Sequence, residues 1–316
     1  MKFRKTLIGA LLSAALLPGV ASAANIDWAW NYAGLNAAEG YAPGACPGGG
    51  VSCMNPVSAN MDELKFTAES LIHWTSGTPF AVGSKFDDYI LLRVDQYNDN
   101  SVNVTEANYG TGFPGFGIPG NHQFTAKIKL SGTQTGTNTY KVDSMSEFGL
   151  YYDAGAGGAY TAAGFAPGTE ADFADGTLAE TGFLISGNGA NTTSGLPDGS
   201  IGLVVGLLDN LHNINPAYGT TELLPLRTIY LPIPLAIGIV DGNNNLCADD
   251  GGTAVCTDTE ASLRAYWGLG AVPTGLTNHT RTDGSVNKQL IPEPASLLLF
   301  GTALFGLSRM RRTLPV

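Results

Sequence analysis

From His122 to Ser131 the sequence alternates without a break. Phe124, Ala126, Ile128 and Leu130 are apolar, while Thr125, Lys127, Lys129 and Ser131 are polar. A period of two belongs to a β-strand with one buried and one wet face, and no helix can use it. A Gly-Thr-Asn turn then leads into Thr139 to Tyr152, which the pattern predicts as the antiparallel partner. Glu63 to Trp74 places Phe66, Ala68, Ser70, Ile72 and Trp74 on one face. Further strands are predicted at Asp88 to Gln96, Gly176 to Ser186, Ser200 to Leu208, Leu224 to Val240 and Ser262 to Gly268. Pro232 and Pro234 break the longest of these runs or confine it to an edge. No strong amphipathic helix occurs between Ala24 and Pro292, and no strand-helix-strand rhythm. Irregularly spaced strands and the Gly-rich loops Tyr109 to Gly120 and Asp153 to Gly168 predict an all-β fold. The expected form is an antiparallel β-sandwich, of which the jelly roll is one variant.

The two ends have a different character. Lys2, Arg4 and Lys5 precede an apolar run from Leu7 to Leu17, a Pro18-Gly19 break and the small-residue site Ala21-Ser22-Ala23. This is the pattern of a secretory signal helix, read by the translocon and signal peptidase, so the mature chain is expected to begin near Ala24. At the other end, Pro292 and Pro294 hold Ile291 and Glu293 extended, as a protease cleft requires. The next fourteen residues, Ala295 to Ser308, carry no charge. As a helix they would span roughly 21 Å, against ~30 Å of hydrocarbon, so a short, transient membrane span is expected. Arg309, Arg311 and Arg312 would stay on the cytoplasmic side.

The tail from Pro292 to Val316 resembles the PEP-CTERM sorting signal of exported bacterial proteins, with Pro292, Glu293 and Pro294 matching the motif. The resemblance implies processing by an exosortase, a membrane protease-transpeptidase. It also implies a Gram-negative, exopolysaccharide-producing host and a role in biofilm or floc matrix. The stretch from Glu147 to Asp209 resembles flocculation-associated PEP-CTERM proteins. The expected organisation is a signal peptide (1–23), an extracellular β domain (24–287), a linker (288–291) and the sorting signal (292–316).

Three of the 16 basic residues lie in the leader and three beyond Ser308, so Ala24 to Ser308 keeps 10 against 27 acids, a net charge near −17. Such a surface repels nucleic acid and anionic lipid and attracts divalent cations. The four cysteines fall into two local pairs, Cys46 with Cys53 and Cys247 with Cys256. In an exported chain, disulfides are the expectation, and each local pair brackets a Gly-rich or Asp/Gly-rich loop. Neither pair has the spacing of a zinc-thiolate site. The best metal candidate is Asp241, Asn243 and Asn245, a D-x-N-x-N run with Asp249 beyond it. It offers alternate oxygens as a calcium loop does, but Leu246 and Gly252 stand where such a loop needs glycine and glutamate. The other reading is an Asn/Asp-rich β-turn.

Enzymatic signatures are missing from the sequence. The histidines at 73, 122, 212 and 279 are dispersed, and there is no H-E-x-x-H, G-x-S-x-G or phosphate-binding loop. A non-enzymatic surface or matrix protein is therefore expected. Two rivals remain: a carbohydrate-binding module and a secreted hydrolase. The first would use Trp74, Tyr97, Tyr109, Phe113, Phe116 or Trp267 as a stacking platform, residues that equally suit a core. The second would pair Glu69 with Asp87 or Asp88 across a cleft.

Overall fold

A computed structural model describes residues 28–30, 32–38, 61–99, 102–103, 123–153, 168–209, 213–214, 236–273 and 275–290. The strands are β1 (Ala29–Trp30), β2 (Glu63–Ser76), β3 (Lys85–Asp99), β4 (Val102–Asn103), β5 (Gln123–Gln134), β6 (Thr139–Asp153), β7 (Thr177–Asn191), β8 (Gly199–Asp209), β9 (Asn213–Ile214), β10 (Ala236–Leu246) and β11 (Thr277–Leu290). Among the described residues two seven-residue helices accompany them, α1 (Tyr32–Ala38) and α2 (Glu260–Tyr266).

The long strands follow one another round the sheet in chain order, β2, β3, β5, β6, β7, β8, β10 and β11. The last then pairs with the first, from Thr277 opposite His73 to Asn287 opposite Glu63. The fold is a closed eight-stranded antiparallel barrel, not the predicted sandwich. The physical reason is length and continuity. Most strands run 11–15 residues, each bonded to its sequence neighbour, so the sheet curls on itself, and among the described residues the only other sheet is the two-stranded β1–β9 pair. Closure also removes the free edges that a sandwich must protect.

Alternation places even-numbered residues of β2, β3 and β5 inside. Leu64, Phe66, Ala68, Leu92, Phe124, Ala126, Ile128 and Leu130 form one cluster with Leu150, Tyr152, Ile201, Leu203 and Val205. Trp28, Trp30, Leu35 and Met61 join the same cluster with no exposed surface. Trp30 stacks on Phe124 at 4.2 Å, and β1 pairs with β9, so the N-terminal segment seals one end of the barrel. β2 begins and β11 ends at that end. At the opposite end lie the 77–84, 135–138 and 192–198 turns and the long β10–β11 connection, 247–276.

Other expectations fared unevenly. The facing pattern of β5 and its pairing with β6 are as predicted, Phe124 lying opposite Tyr152 and Ala126 opposite Leu150. Ser262 to Gly268 is not a strand. Thr259 caps a helix there, its Oγ1 accepting the Ser262 N–H at 3.1 Å while Ser262 Oγ accepts the Thr259 N–H, and this local bonding outweighs the β-like composition. β11 carries Thr, Asn, Asp, Lys and Gly with almost no apolar alternation, so no strand was predicted there.

Candidate functional site

The 247–276 connection folds back over the outer face of β2 and β3, and this is where buried charge collects. Its base is apolar. Leu71 and Leu91 point outward from the barrel and are buried beneath Leu263 of α2 and Phe173 of a 3-10 turn, Glu170–Phe173. Trp267 packs on Tyr89 with ring centroids 5.2 Å apart, and Lys127 lies over Trp267 at 4.5 Å.

Glu69 stands at the centre of this layer with no exposed surface. Its two carboxylate oxygens accept the backbone N–H groups of Thr257 and Asp258, at 2.9 and 3.0 Å. His279 Nε2 lies 3.5 Å from Oε2, and the Arg281 guanidinium 3.9 Å from Oε1. The other ring nitrogen of His279 meets Asp249 at 3.0 Å, and its backbone N–H donates to Asp250 at 3.1 Å. Burial disfavours a charge on His279, but bonds to Glu69 and Asp249 and the charges of both outweigh it and hold the imidazole above its ordinary pKa. Glu69 therefore fastens the loop to the barrel wall. Each of its oxygens accepts a backbone N–H, which suits a structural tie.

Asp258 differs. Burial, then the charges of Glu69 and Glu170, pushes its carboxyl up to about 7. Its Oδ1 accepts from Ser262 Oγ at 3.4 Å, while its Oδ2 and Glu170 Oε1 have no hydrogen-bond partner.

Cys247 and Cys256 are joined, their Cα atoms 5.6 Å apart, as the sequence spacing predicted. Cys46 and Cys53 lie outside the described residues. The D-x-N-x-N run does not form a loop. Asp241, Asn243 and Asn245 continue β10, with Asp241 opposite Gly202 and Asn243 opposite Ser200, and the turn begins only at Cys247. Asn243 and Asn245 are exposed on the outer face, about 7 Å apart along the strand, where an ion-wrapping loop would draw its ligands together. Asp249, in the 3-10 turn Ala248–Asp250, is engaged by His279. Among the described residues, Cys247, Cys256 and His279 bring three potential ligand atoms within 4.8 Å of one another, and the disulfide leaves neither sulfur as a thiolate.

The glycosidase pairing through Asp88 also fails on geometry. Asp88 points into the barrel and Glu69 and Asp87 point out of it, so Asp88 shares no cleft with either. Asp87 is bonded by Ser131 Oγ at 2.6 Å. Of the proposed stacking aromatics, Trp74 and Tyr97 are buried and Trp267 is covered by Lys127. Tyr109, Phe113 and Phe116 lie outside the described residues. Sequence reasoning missed the Glu69–His279 pair because strand closure, not spacing, joins positions 210 residues apart.

The sorting residues Pro292, Glu293, Pro294, Arg309, Arg311 and Arg312 lie beyond the described residues, as does the signal segment. Among the described residues no helix is long and apolar enough to cross a membrane. The tail is nonetheless decided by comparison, since the family model for the PEP-CTERM protein-sorting motif matches residues 290–312. The chain carries a PEP-CTERM signal. That PEP-CTERM motif implies a secreted protein at the cell surface, with an exosortase as its processing partner. No curated protein and no solved structure matches the chain.

Proposed function

We propose that the mature barrel is a non-enzymatic surface or matrix protein that associates with exopolysaccharide after an exosortase removes its tail, in a Gram-negative host. The observation that carries this reading is a polar trough on the outer wall across β8, β10, β11, β2 and β3. Thr67, Asp95, Asn243, Asp283 and Ser285 line it. Thr67 Oγ1 lies 2.5 Å from Asp95 and 3.2 Å from Asp283, so hydroxyl, amide and carboxylate groups stand close together there. Such groups suit the hydroxyls of a sugar chain, and the packed interior supports an outward-facing role. Strong net negative charge keeps such a protein soluble and off anionic lipid.

The test has two arms. Intact mass of protein recovered from cells and from matrix should show a chain beginning near Ala24 and ending near Pro292 to Pro294. In a co-sedimentation assay with the host's own exopolysaccharide, the mature barrel should pellet, and Asn243→Ala combined with Asp283→Ala should reduce the pelleted fraction. A protein that ends at Val316 in a host with an exosortase would refute the processing. A mature barrel that stays in the supernatant would refute the matrix role.

A further inference from the structure

We propose that the turn-capped end of the barrel is a binding site for the primary ammonium group of a small amine, with Asp88 as its counter-ion and Trp74, Phe86 and Tyr140 as its walls. Asp88 points inward from β3 and is 4% exposed, and its Oδ1 has no hydrogen-bond partner. Ser70 bonds to the carboxylate, as does the backbone N–H of Tyr89. It pairs with no lysine, arginine or histidine among the described residues, whereas Asp87, next to it in sequence but outside the barrel, has Lys129 at 3.8 Å. A lone buried carboxylate is costly to keep ionised, and a cation relieves that cost where a neutral guest does not.

The surroundings suit that cation. The void beside Asp88 is about 20 Å³, room for one group the size of a water. Its walls include Trp74, Phe80, Phe86 and Tyr140 as well as Asn244 and Gln134. Trp74 meets Phe80 at 4.7 Å and Phe86 at 5.6 Å, and Phe86 meets Tyr140 at 5.7 Å, all edge-to-face. Electron-rich rings attract an ammonium ion, and an ammonium donates three hydrogen bonds while needing none in return. Gly132 makes the ring arrangement possible, because a Cβ there would collide with the Phe86 ring.

The cover is set under tension. Phe80, in the 77–84 turn, holds φ at +61°, a region an aromatic residue seldom enters. The turn is tied down around it: Gly83 N–H donates to Gln134 O at 2.8 Å, Gln134 N–H to Ser84 O at 2.9 Å, and Ser84 Oγ to Thr78 O. This fixes the Phe80 ring across Trp74, with Pro197 of the 192–198 turn also lining the void. A head group of water size fits beneath them. A quaternary ammonium is too bulky for the same void.

The experiment is calorimetric titration of the mature barrel with methylammonium chloride at about pH 7.5, with sodium chloride and tetramethylammonium chloride at matched ionic strength as controls. Saturable binding of methylammonium alone is expected, weakened about tenfold or more in Asp88→Asn, whose fold is checked by its melting curve. Wild-type protein at about pH 5, where Asp88 takes up a proton, should show the same weakening without any substitution. Equal, non-saturable responses to methylammonium and sodium would mean that the void holds water only and would overturn the proposal. So would undiminished binding in Asp88→Asn, or tetramethylammonium binding as tightly as methylammonium.

Discussion

Glu69 and Asp88 sit on adjacent strands of one barrel, both are buried, and their surroundings are opposite. Glu69, on the outer wall, receives two backbone N–H groups and faces His279 and Arg281. Asp88, on the inner wall, keeps one oxygen without a partner beside a water-sized void. Burial alone therefore says little about a carboxylate's role. What separates a staple from an open site is whether each carboxylate oxygen has a hydrogen-bond donor.

The largest effect should come from breaking the closed member of the pair. Glu69→Gln turns an acceptor into a donor facing a backbone N–H and leaves His279 and Arg281 without their shared anion. Urea unfolding should register a loss of about 3–5 kcal/mol. A loss under about 1 kcal/mol would mean that the loop is held elsewhere and that the contrast is false.

Asp258 lies between the two extremes, one oxygen bonded and one not. Its pKa is raised from 3.8 to about 7, chiefly by burial and then by Glu69 and Glu170. A raised acid contributes stability that is complete below about pH 4 and lost as pH rises through about 7. Asp258→Asn should therefore gain about 3 kcal/mol above pH 7 and almost nothing near pH 4, read by denaturant melts at both pH values. Equal gains at both would assign the effect to packing.

The crosslink comes next. Cys247 and Cys256 are nine positions apart, and opening so small a loop should cost about 2–3 kcal/mol. In Cys247→Ala with Cys256→Ala, hydrogen exchange at Thr257 and Asp258 should quicken most, because those amides are the ones that Glu69 holds. Uniform acceleration over the barrel would show that the disulfide supports the fold at large.

How much of this was legible beforehand follows from how far each signal reaches along the chain. The alternation of Phe124 to Leu130 reads out a strand because the pattern is local, and the proline-flanked tail reads out its sorting motif for the same reason. Barrel closure was not legible. It depends on β11, whose Thr, Asn, Asp and Gly residues carry no apolar period, meeting β2 some 200 positions earlier. The D-x-N-x-N run misled because alternate oxygens serve an ion-binding loop and an outward strand face equally well. Asn244, between the two outward asparagines, is buried and takes the Thr282 hydroxyl as its partner. The Glu69 site stayed hidden because its members come from β2, β11 and the 247–276 connection, and only the fold assembles them.

The contrast stands or falls most directly on Asp88. Burial raises its carboxyl to about 6 and Asp87 adds to the shift, while Ser70 and the Tyr89 N–H oppose it; Tyr140 faces it from β6. As for Asp258, the raised pKa means stability present below about pH 4 and lost as pH climbs through about 6. Unfolding free energies of wild type and Asp88→Asn measured from about pH 4 to pH 8 should coincide at the acid end. They should separate by about 2 kcal/mol in favour of the variant at the alkaline end. A variant less stable than wild type at pH 8 would mean that the Asp88 charge is already compensated, and the distinction between the two carboxylates would be gone.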